Sequence, residues 1–262
     1  WMEVGHLGSW WIMNLGLEGK TALISGSSKG IGLSIATCLH NEGCNVILNS
    51  RNSSSLKKLS ENMGDNTSYL SADVTKTSQC KKLVNHTIKK FGNIDILICN
   101  VGDGRSPKPG EEKLSDWKKM LDINLNSTIN LITESLPSLK KTSGSIVCIS
   151  SIAGIEITDA PIPYSVAKSA LNSYVKNSSK PLAKFGIRIN AIAPGNIFFK
   201  GSVWEKKLEK NKTKVLDMIS KKVSMNRFGT PEEIANLTAF VASPLTSFVT
   251  GNILVADGGQ VH

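Results

Sequence analysis

The chain has 262 residues, 40% of them hydrophobic, which is enough for one sizeable α/β domain or two small ones. No apolar run reaches the roughly 18 residues of a membrane-spanning helix, so we expect no membrane partner. The net charge is +10, but the lysines are spread along the chain and no nucleic-acid-binding motif occurs, so we expect no nucleic-acid partner either.

The cysteines and the first residues bear on where the protein works. The five cysteines include no C-x-x-C pair and are odd in number, which favours reduced thiols and a cytoplasmic location. Residues 1–12 carry three tryptophans and no periodicity, and a tryptophan precedes the first methionine. We therefore expect residues 1–13 to be an extra N-terminal segment, processed or added in cloning, with Met13 near the native start. The segment lacks the basic and apolar regions of a signal peptide.

A glycine-rich loop follows the first predicted strand, residues 20–24, and precedes a helical pattern. Glycines let the backbone approach a pyrophosphate, and the N-terminus of the following helix presents free N–H groups to it. A tight structural turn explains a glycine cluster as well, but the position between a strand and a helix favours a dinucleotide site. The candidate cofactor residues in this loop are Gly26, Ser28, Lys29, Gly30, Ile31 and Gly32.

The second predicted strand, residues 45–49, indicates which cofactor binds. An NAD site places a carboxylate near the end of this strand, where it accepts hydrogen bonds from the ribose hydroxyls. The chain has Ser50-Arg51 there instead. Arg51 and Lys29 offer two cations to a 2′-phosphate, so the sequence favours NADPH/NADP⁺ over NADH.

Five more apolar runs predict strands, and helical patterns separate them. Runs that are apolar at nearly every position are typical of parallel strands covered by helices on both faces. We therefore predict a single α/β domain over residues 14–262, with a doubly wound, mostly parallel Rossmann-like sheet flanked by helices on both faces. The five runs are residues 68–72, 94–99, 145–150, 188–193 and 252–256.

The stretch from Ser151 to Lys168 contains the strongest candidate for chemistry. Tyr164 and Lys168 are four residues apart, so on a helix they lie on one face. A lysine cation beside a phenol lowers the phenol pKa, as a tyrosine acid/base near neutral pH requires. Ser151, at the end of a predicted strand, can direct its hydroxyl to the same point. Taken alone, Tyr-x-x-x-Lys is common by chance, and an ordinary helix explains it equally well.

The spacing Gly26-x-x-x-Gly30-x-Gly32 differs from G-x-G-x-x-G and resembles the glycine motif of short-chain dehydrogenases/reductases. The resemblance continues over almost the whole chain after Met13. Within the family, the chain is similar to the 3-oxoacyl-carrier-protein reductases. Ser150 and Ser151 compete for the family's catalytic serine. Ser151 is chosen because it stands thirteen positions before Tyr164.

The resemblance implies four catalytic residues. Tyr164 donates a proton to the substrate oxygen, and Ser151 hydrogen-bonds the same oxygen. Lys168 lowers the pKa of Tyr164 and holds the nicotinamide ribose. Asn124 holds a water that links Lys168 to solvent; from the residues alone it is an ordinary helix residue.

The resemblance also implies cofactor contacts beyond the glycine loop. Cys99 and Val101 depart from the family's Asn-Asn-Ala-Gly turn, while its second Asn and its Gly are kept. After the Pro-Gly pair the family often has a Thr that contacts the carboxamide; this chain lacks it, so the backbone of Ile197 is the candidate there. The implied contacts are Asp73, Val74, Asn100, Gly102, Tyr164, Lys168, Pro194, Gly195 and Ile197.

Residues 197–226 occupy the position of the family's substrate lid. Within them, residues 201–222 predict one lysine-rich helical segment with an apolar face. An ordinary amphipathic helix explains the pattern fully. As a lid, its lysines would favour an anionic substrate or carrier.

The function predicted is an NADPH-dependent carbonyl reductase, with a 3-oxoacyl thioester on a carrier protein as the first substrate candidate. A reductase or dehydrogenase of a sugar or sugar phosphate, for a surface polysaccharide, is the alternative enzyme. A non-catalytic NADPH sensor is the alternative of another class, disfavoured because the full catalytic set is present. We expect no metal, and we expect self-association as a homotetramer or homodimer, as the family resemblance implies.

Overall fold

The computed structural model describes residues 13–261. Within this range the chain alternates strands and helices from β1 to β7. The strands are β1 (Thr21–Ile24), β2 (Asn45–Ser50), β3 (Thr67–Ser71), β4 (Ile96–Cys99), β5 (Ser145–Ile149), β6 (Arg188–Pro194) and β7 (Ile253–Ala256). The α-helices are α1 (Gly30–Asn41), α2 (Ser53–Met63), α3 (Thr77–Phe91), α4 (Leu114–Leu121), α5 (Ser127–Thr142), α6 (Ile162–Ala183), α7 (Val203–Lys210), α8 (Lys212–Lys222) and α9 (Pro231–Ala242).

The seven strands form one parallel sheet in the order β3-β2-β1-β4-β5-β6-β7. All seven predicted strands are confirmed, with ends that differ by one or two residues, and so is the doubly wound fold. The chain first builds outward from β1 to β3 and then returns to add β4 on the other side of β1. This reversal is the point at which open α/β sheets bind their ligands, outside the carboxyl ends of the strands.

The helices cover both faces of the sheet and create two hydrophobic cores. Alternate residues of each strand point to opposite faces. In β1, for example, Ile24 belongs to the core beneath α1 and α9, whereas Leu23 belongs to the core beneath α3, α5 and α6. Both side chains are fully buried. Burial on both faces is why the central strands β1, β4 and β5 are apolar at nearly every position. Each fully buried Leu, Ile or Val stabilises the fold by about 1.5–3 kcal/mol.

The lysine-rich segment, residues 201–222, is divided into two helices. Asn211, between α7 and α8, has φ −160° and ψ 85°, which no helix accommodates. Its side chain accepts a hydrogen bond from the backbone N–H of Lys214 and so caps α8. Asparagine side chains compete with helical hydrogen bonds in this way and favour helix starts. The predicted segment is therefore helical, with one interruption at Asn211.

Two further features complete the description. Across the described range, no helix has both the length and the apolar character that crossing a membrane requires. Of the predicted N-terminal extra segment, residues 1–12 lie outside the range that the structure describes.

Candidate active site

The glycine loop connects β1 to α1, and its backbone is packed too closely for side chains. A Cβ on Gly32 would lie 2.4 Å from both Asn100 Nδ2 and the carbonyl oxygen of Gly26. Gly26 has a φ of +69°, in the left-handed region. The Asn100 side chain, at the end of β4, donates to the carbonyls of Ser25 (3.2 Å) and Gly26 (3.0 Å). The loop and the β4 turn are therefore fixed to each other.

The first turn of α1 offers an anion site. Lys29 is the N-cap residue, and no side chain caps this helix end. The first N–H groups of a helix have no partner within the helix, and their positive end attracts phosphate. The uncapped turn after a glycine loop thus fits the pyrophosphate of a dinucleotide.

The predicted 2′-phosphate and adenine residues lie at the ends of neighbouring strands. Arg51 directly follows β2, is exposed, and accepts a hydrogen bond at its carbonyl from Ser71 Oγ (3.0 Å). Val74 is buried after β3. The Asp73 carboxylate accepts hydrogen bonds from the backbone N–H (3.0 Å) and the hydroxyl (2.8 Å) of Thr75. Arg51 and Asp73 thus frame the edge formed by β2 and β3.

The two serines after β5 have different environments. Ser150 is buried, and its hydroxyl donates to Asn172 Oδ1 (2.6 Å). Ser151 is half-buried and begins a short 3₁₀ turn, Ile152–Gly154, where its Oγ accepts from the N–H of Ala153 (3.2 Å). Ser151 also lies close enough to Tyr164 to lower the pKa of the phenol. The Ser151 hydroxyl is therefore near the phenol, while the Ser150 hydroxyl is bonded in the interior.

Tyr164 lies in the first turn of α6 and Lys168 in the second, on one face. The Lys168 Nζ is 5.8 Å from the centroid of the Tyr164 ring and donates to the carbonyl of Ile149 (2.8 Å). The expected lowering of the Tyr164 pKa is not found: burial raises the pKa of the phenol, and the nearby Ser151 hydroxyl opposes that rise. Burial lowers the pKa of Lys168 to about 8. At neutral pH this arrangement holds a protonated phenol beside a mostly charged lysine.

Asn124 lies at the centre of a π-helical stretch, Asp122–Asn126, between α4 and α5. Its side chain is fully buried. Its Oδ1 accepts from the N–H of Asp103 (3.0 Å), and its Nδ2 donates to the carbonyls of Asp103 (3.0 Å) and Met120 (3.1 Å). A π-helix is rare and marks functional sites. The apolar periodicity of the sequence does not distinguish it from an α-helix.

The segment after β6 approaches the glycine loop from the other side. Gly195 packs against Asp257, where a Cβ would lie 2.7 Å from the Asp257 Cβ. Ile197 is buried and pairs with Gly229 in an isolated bridge. Phe199 faces Gly30, where a Cβ would lie 2.6 Å from two ring atoms. An aromatic ring therefore stands near the phosphate-binding turn, and Gly30 is required to accommodate it.

These groups meet at the carboxyl edge of the sheet. A cation, a phenol and a hydroxyl surround one point, and the glycine loop lies beside it. Such a set can hydrogen-bond a carbonyl oxygen and deliver a proton to it.

Comparison with known families agrees with this geometry. A family model of the short-chain dehydrogenase/reductase type, described as Enoyl-(Acyl carrier protein) reductase, matches residues 26–261. The chain belongs to the short-chain dehydrogenase/reductase family. The predicted family and fold are therefore confirmed.

Proteins similar to this short-chain dehydrogenase/reductase are named for different substrates. The 3-oxoacyl-[acyl-carrier-protein] reductase of Rickettsia prowazekii is 35% identical over 94% of this chain and 98% of its own. Glucose 1-dehydrogenase 2 of Bacillus subtilis is 35% identical over 93% of this chain and 95% of its own. A 7α-hydroxysteroid dehydrogenase solved with NADH and 7-oxo glycochenodeoxycholic acid has a TM-score of 0.87 and 30% identity, covering 95% of this chain and 96% of its own.

Membership fixes the reaction type. This short-chain dehydrogenase/reductase is an oxidoreductase that acts on CH–OH/C=O groups and uses a nicotinamide cofactor. Within residues 13–261, no three His, Cys, Asp or Glu side chains are grouped as a metal ion requires.

Proposed function

We propose that this chain is an NADPH-dependent carbonyl reductase in which Tyr164 protonates the carbonyl oxygen. The observation that carries the proposal is the position of Tyr164 and Lys168, with Nζ 5.8 Å from the ring centroid, against the loop after β4 that is bonded to the glycine loop. The nicotinamide, when bound, supplies the hydride. The protein supplies the position of the substrate and the proton.

The roles follow from the surroundings of each group. The phenol of Tyr164 has a pKa raised by burial, so it carries its proton before the reaction. Release of that proton then depends on positive charge nearby, which Lys168 supplies. Lys168, charged below a pKa of about 8, stabilises the phenolate that remains after proton transfer. Ser151 donates a hydrogen bond to the oxygen on which negative charge develops.

Asn124 has a positioning role in this proposal. Both N–H groups of its amide are donated to main-chain carbonyls, those of Asp103 and Met120. The water that the family resemblance implies would therefore bind its Oδ1 or the main chain of the π-helix. The side chain itself fixes Asp103 next to Tyr164.

Replacing Ser151 with alanine is expected to lower kcat by about 10²–10³-fold, because one hydrogen-bond donor to the developing oxyanion is lost. Ser150→Ala is the matched control: it removes the bond to Asn172 Oδ1 and is expected to cost about 1–3 kcal/mol of stability while activity remains. Steady-state kinetics and thermal melts of both variants check this. If Ser150→Ala shows the kinetic loss, the two serines have been assigned in the wrong order.

The preference for NADPH is proposed from Arg51 and Lys29. A 7α-hydroxysteroid dehydrogenase of the same fold was solved with NADH, so the fold alone does not select the cofactor. In this chain Arg51 is exposed after β2, and no carboxylate stands between β2 and α2. A cation and no acid at the strand end suit a 2′-phosphate. The Lys29 ammonium lies near Gly201 instead, 3.7 Å from the position of a Cβ there, so the proposal depends mainly on Arg51.

Changing Arg51 to aspartate is expected to shift the ratio of kcat/KM for NADPH over NADH by about tenfold or more towards NADH, since a charge-assisted bond to phosphate is lost. Lys58→Asp, an exposed position within α2, makes the same change of charge away from the strand end. It is expected to leave the ratio within about twofold. An equal shift in both variants would remove Arg51 from the site.

The first substrate candidate is a 3-oxoacyl thioester on a carrier protein, as in the names of the Rickettsia relatives. A sugar or sugar phosphate is the second, favoured by a glucose dehydrogenase of equal identity and by the charged pair described below. Tight NADPH binding with no turnover of either class would favour a sensor.

We further propose self-association as a homotetramer or homodimer, and a lid over residues 197–226. We also propose a cytoplasmic location, which the five free cysteines support.

A further inference from the structure

The loop after β4 crosses directly over the proposed proton-transfer groups. A Cβ on Gly102 would lie 3.0 Å from Asn124 Oδ1 and 3.3 Å from Lys168 Nζ. A Cβ on Gly104 would lie 3.8 Å from the Tyr164 ring, at ordinary contact distance. Asp103 stands between these two glycines and is therefore part of the wall of the reaction centre.

Asp103 and Arg105 form an ion pair within this wall. The Asp103 carboxylate accepts hydrogen bonds from Arg105 Nε (2.9 and 3.1 Å), Nη2 (2.7 Å) and the backbone N–H (3.0 Å). The backbone of Asp103 is fixed on both sides by the buried amide of Asn124. The guanidinium is thus held by a carboxylate that is itself held by the core of the site.

The two partners differ in exposure, and this distinguishes the pair from an ordinary surface salt bridge. The Asp103 side chain is 17% exposed, whereas that of Arg105 is 73% exposed. Among the residues that the structure describes, none accepts a hydrogen bond from Arg105 Nη1. A guanidinium fixed along one edge presents the donors of its other edge in a set geometry, which suits a carboxylate or phosphate.

The Asp103 carboxylate is ionised and offsets the charge of the guanidinium, so Arg105 would hold an anion through its directed N–H donors and not through net positive charge. Burial alone would raise the pKa of Asp103, but the hydrogen bonds and charge of Arg105 outweigh it and lower that pKa, with a smaller contribution from Lys119. Asp103 therefore stays ionised and neutralises one side of the guanidinium. Lysines also outnumber acidic residues in α7 and α8, the proposed lid.

We propose that Arg105, oriented by Asp103, binds an anionic group, a phosphate or carboxylate, that the substrate carries close to its reacting carbonyl. Arg105 follows Gly104, whose Cβ position lies 3.8 Å from the Tyr164 ring, so the anion it would bind is placed at the rim of the reaction centre, a few bonds from the reacting carbon. An anion at this position belongs to a small keto phosphate or keto acid. The phosphate of a carrier arm would lie too far from the ketone to reach it. The inference rests on the proposed reductase function and selects a substrate class for it.

The test compares ketones of similar size with and without an anionic group. Dihydroxyacetone phosphate, acetoacetate and neutral dihydroxyacetone are titrated into the protein loaded with NADP⁺, and binding is measured by calorimetry without turnover. The wild type is expected to bind at least one anion about tenfold or more tightly than dihydroxyacetone. Which anion gains affinity identifies phosphate or carboxylate. Acetoacetyl-coenzyme A, whose phosphates are remote from the ketone, is expected to show no gain that depends on Arg105.

Arg105→Gln is expected to lower the affinity ratio of anion to neutral ketone by about tenfold or more. Lys108→Gln, an exposed lysine of the same loop, is expected to change it by less than about twofold. Asp103→Asn, which keeps the guanidinium but loses its orientation, is expected to give an intermediate ratio, and Asp103→Glu to restore part of it. An intermediate ratio for Asp103→Asn that Asp103→Glu partly restores indicates that Asp103 positions Arg105, whereas a loss of folding would abolish binding of anion and neutral ketone alike.

The inference is overturned if the wild type shows no preference for either anion, or if Arg105→Gln and Lys108→Gln change the ratio equally. Failure of the reductase proposal has a different signature: no ketone is reduced with NADPH, while Arg105-dependent binding in the NADP⁺ complex persists.

Discussion

Replacing Tyr164 with phenylalanine is expected to abolish ketone reduction and to leave cofactor affinity nearly unchanged. The change removes only the hydroxyl, while the ring keeps its place beside Gly104. General acid catalysis contributes about 10²–10⁴-fold to rate. The other proton-bearing group here, the Lys168 ammonium, donates to the carbonyl of Ile149. The loss is therefore expected in kcat, with binding of NADPH preserved.

The measurement pairs NADPH oxidation with cofactor binding by fluorescence. Tyr174→Phe is the matched control, because Tyr174 is a half-buried tyrosine on the same helix whose pKa burial raises to about 12. It is expected to keep activity within about twofold of the wild type, since its hydroxyl is away from the site. A Tyr164→Phe variant that kept most of its activity would end the assignment of this residue as proton donor. Equal losses of turnover and cofactor affinity would indicate a structural role instead.

The sheet was predictable because its physical cause is written in the sequence. Strands buried on both faces must be apolar at nearly every position, as residues 96–99 are, and glycine has to follow β1 where the backbone meets Asn100. The parallel arrangement then brings the ends of β1, β4, β5 and β6 to one edge. The candidate residues at those ends, from Gly26 to Ile197, are near one another for this reason alone.

The parts that sequence reasoning missed depend on contacts between distant residues. The π-helix at Asp122–Asn126 differs from an α-helix by a shift of hydrogen-bond partners, which leaves the apolar period almost unaltered. The break at Asn211 depends on a local side-chain bond that competes with the helix. Asp103 and Arg105 lie in a loop without periodicity. Their position is revealed by the contact of Asp103 with Asn124 and of Gly104 with the Tyr164 ring.

Replacing Lys168 with methionine is expected to abolish activity and also to change how the unfolding free energy depends on pH. The Lys168 side chain is 3% exposed, and burial lowers its pKa from 10.5 to about 8. Below pH 8 both the folded and the unfolded chain bind this proton. Between about pH 8 and 10.5 only the unfolded chain binds it, so the unfolding free energy of the wild type rises with pH, by about 3 kcal/mol in all. Lys168→Met lacks this rise.

Stability at neutral pH shows two opposing effects of the same substitution. Removing a buried charge favours the folded variant, while the carbonyl of Ile149 loses its donor at a cost of about 1–3 kcal/mol. We therefore expect Lys168→Met to be close to wild type in unfolding free energy at pH 7 and less stable than wild type near pH 10. A lysine that contributes this little to stability at neutral pH is retained for the reaction.

Denaturant unfolding at a series of pH values measures the difference between the two curves. The reference protein and both lysine variants carry Tyr164→Phe in this experiment, so that the neighbouring phenol does not titrate. Lys176→Met, at an exposed position of the same helix, is the control and is expected to follow the wild-type curve. If the Lys168 and Lys176 variants run parallel between pH 8 and 10, Lys168 has no lowered pKa in the folded protein. The charge beside Tyr164 would then persist at alkaline pH, and reduction would not decline as pH rises through 8.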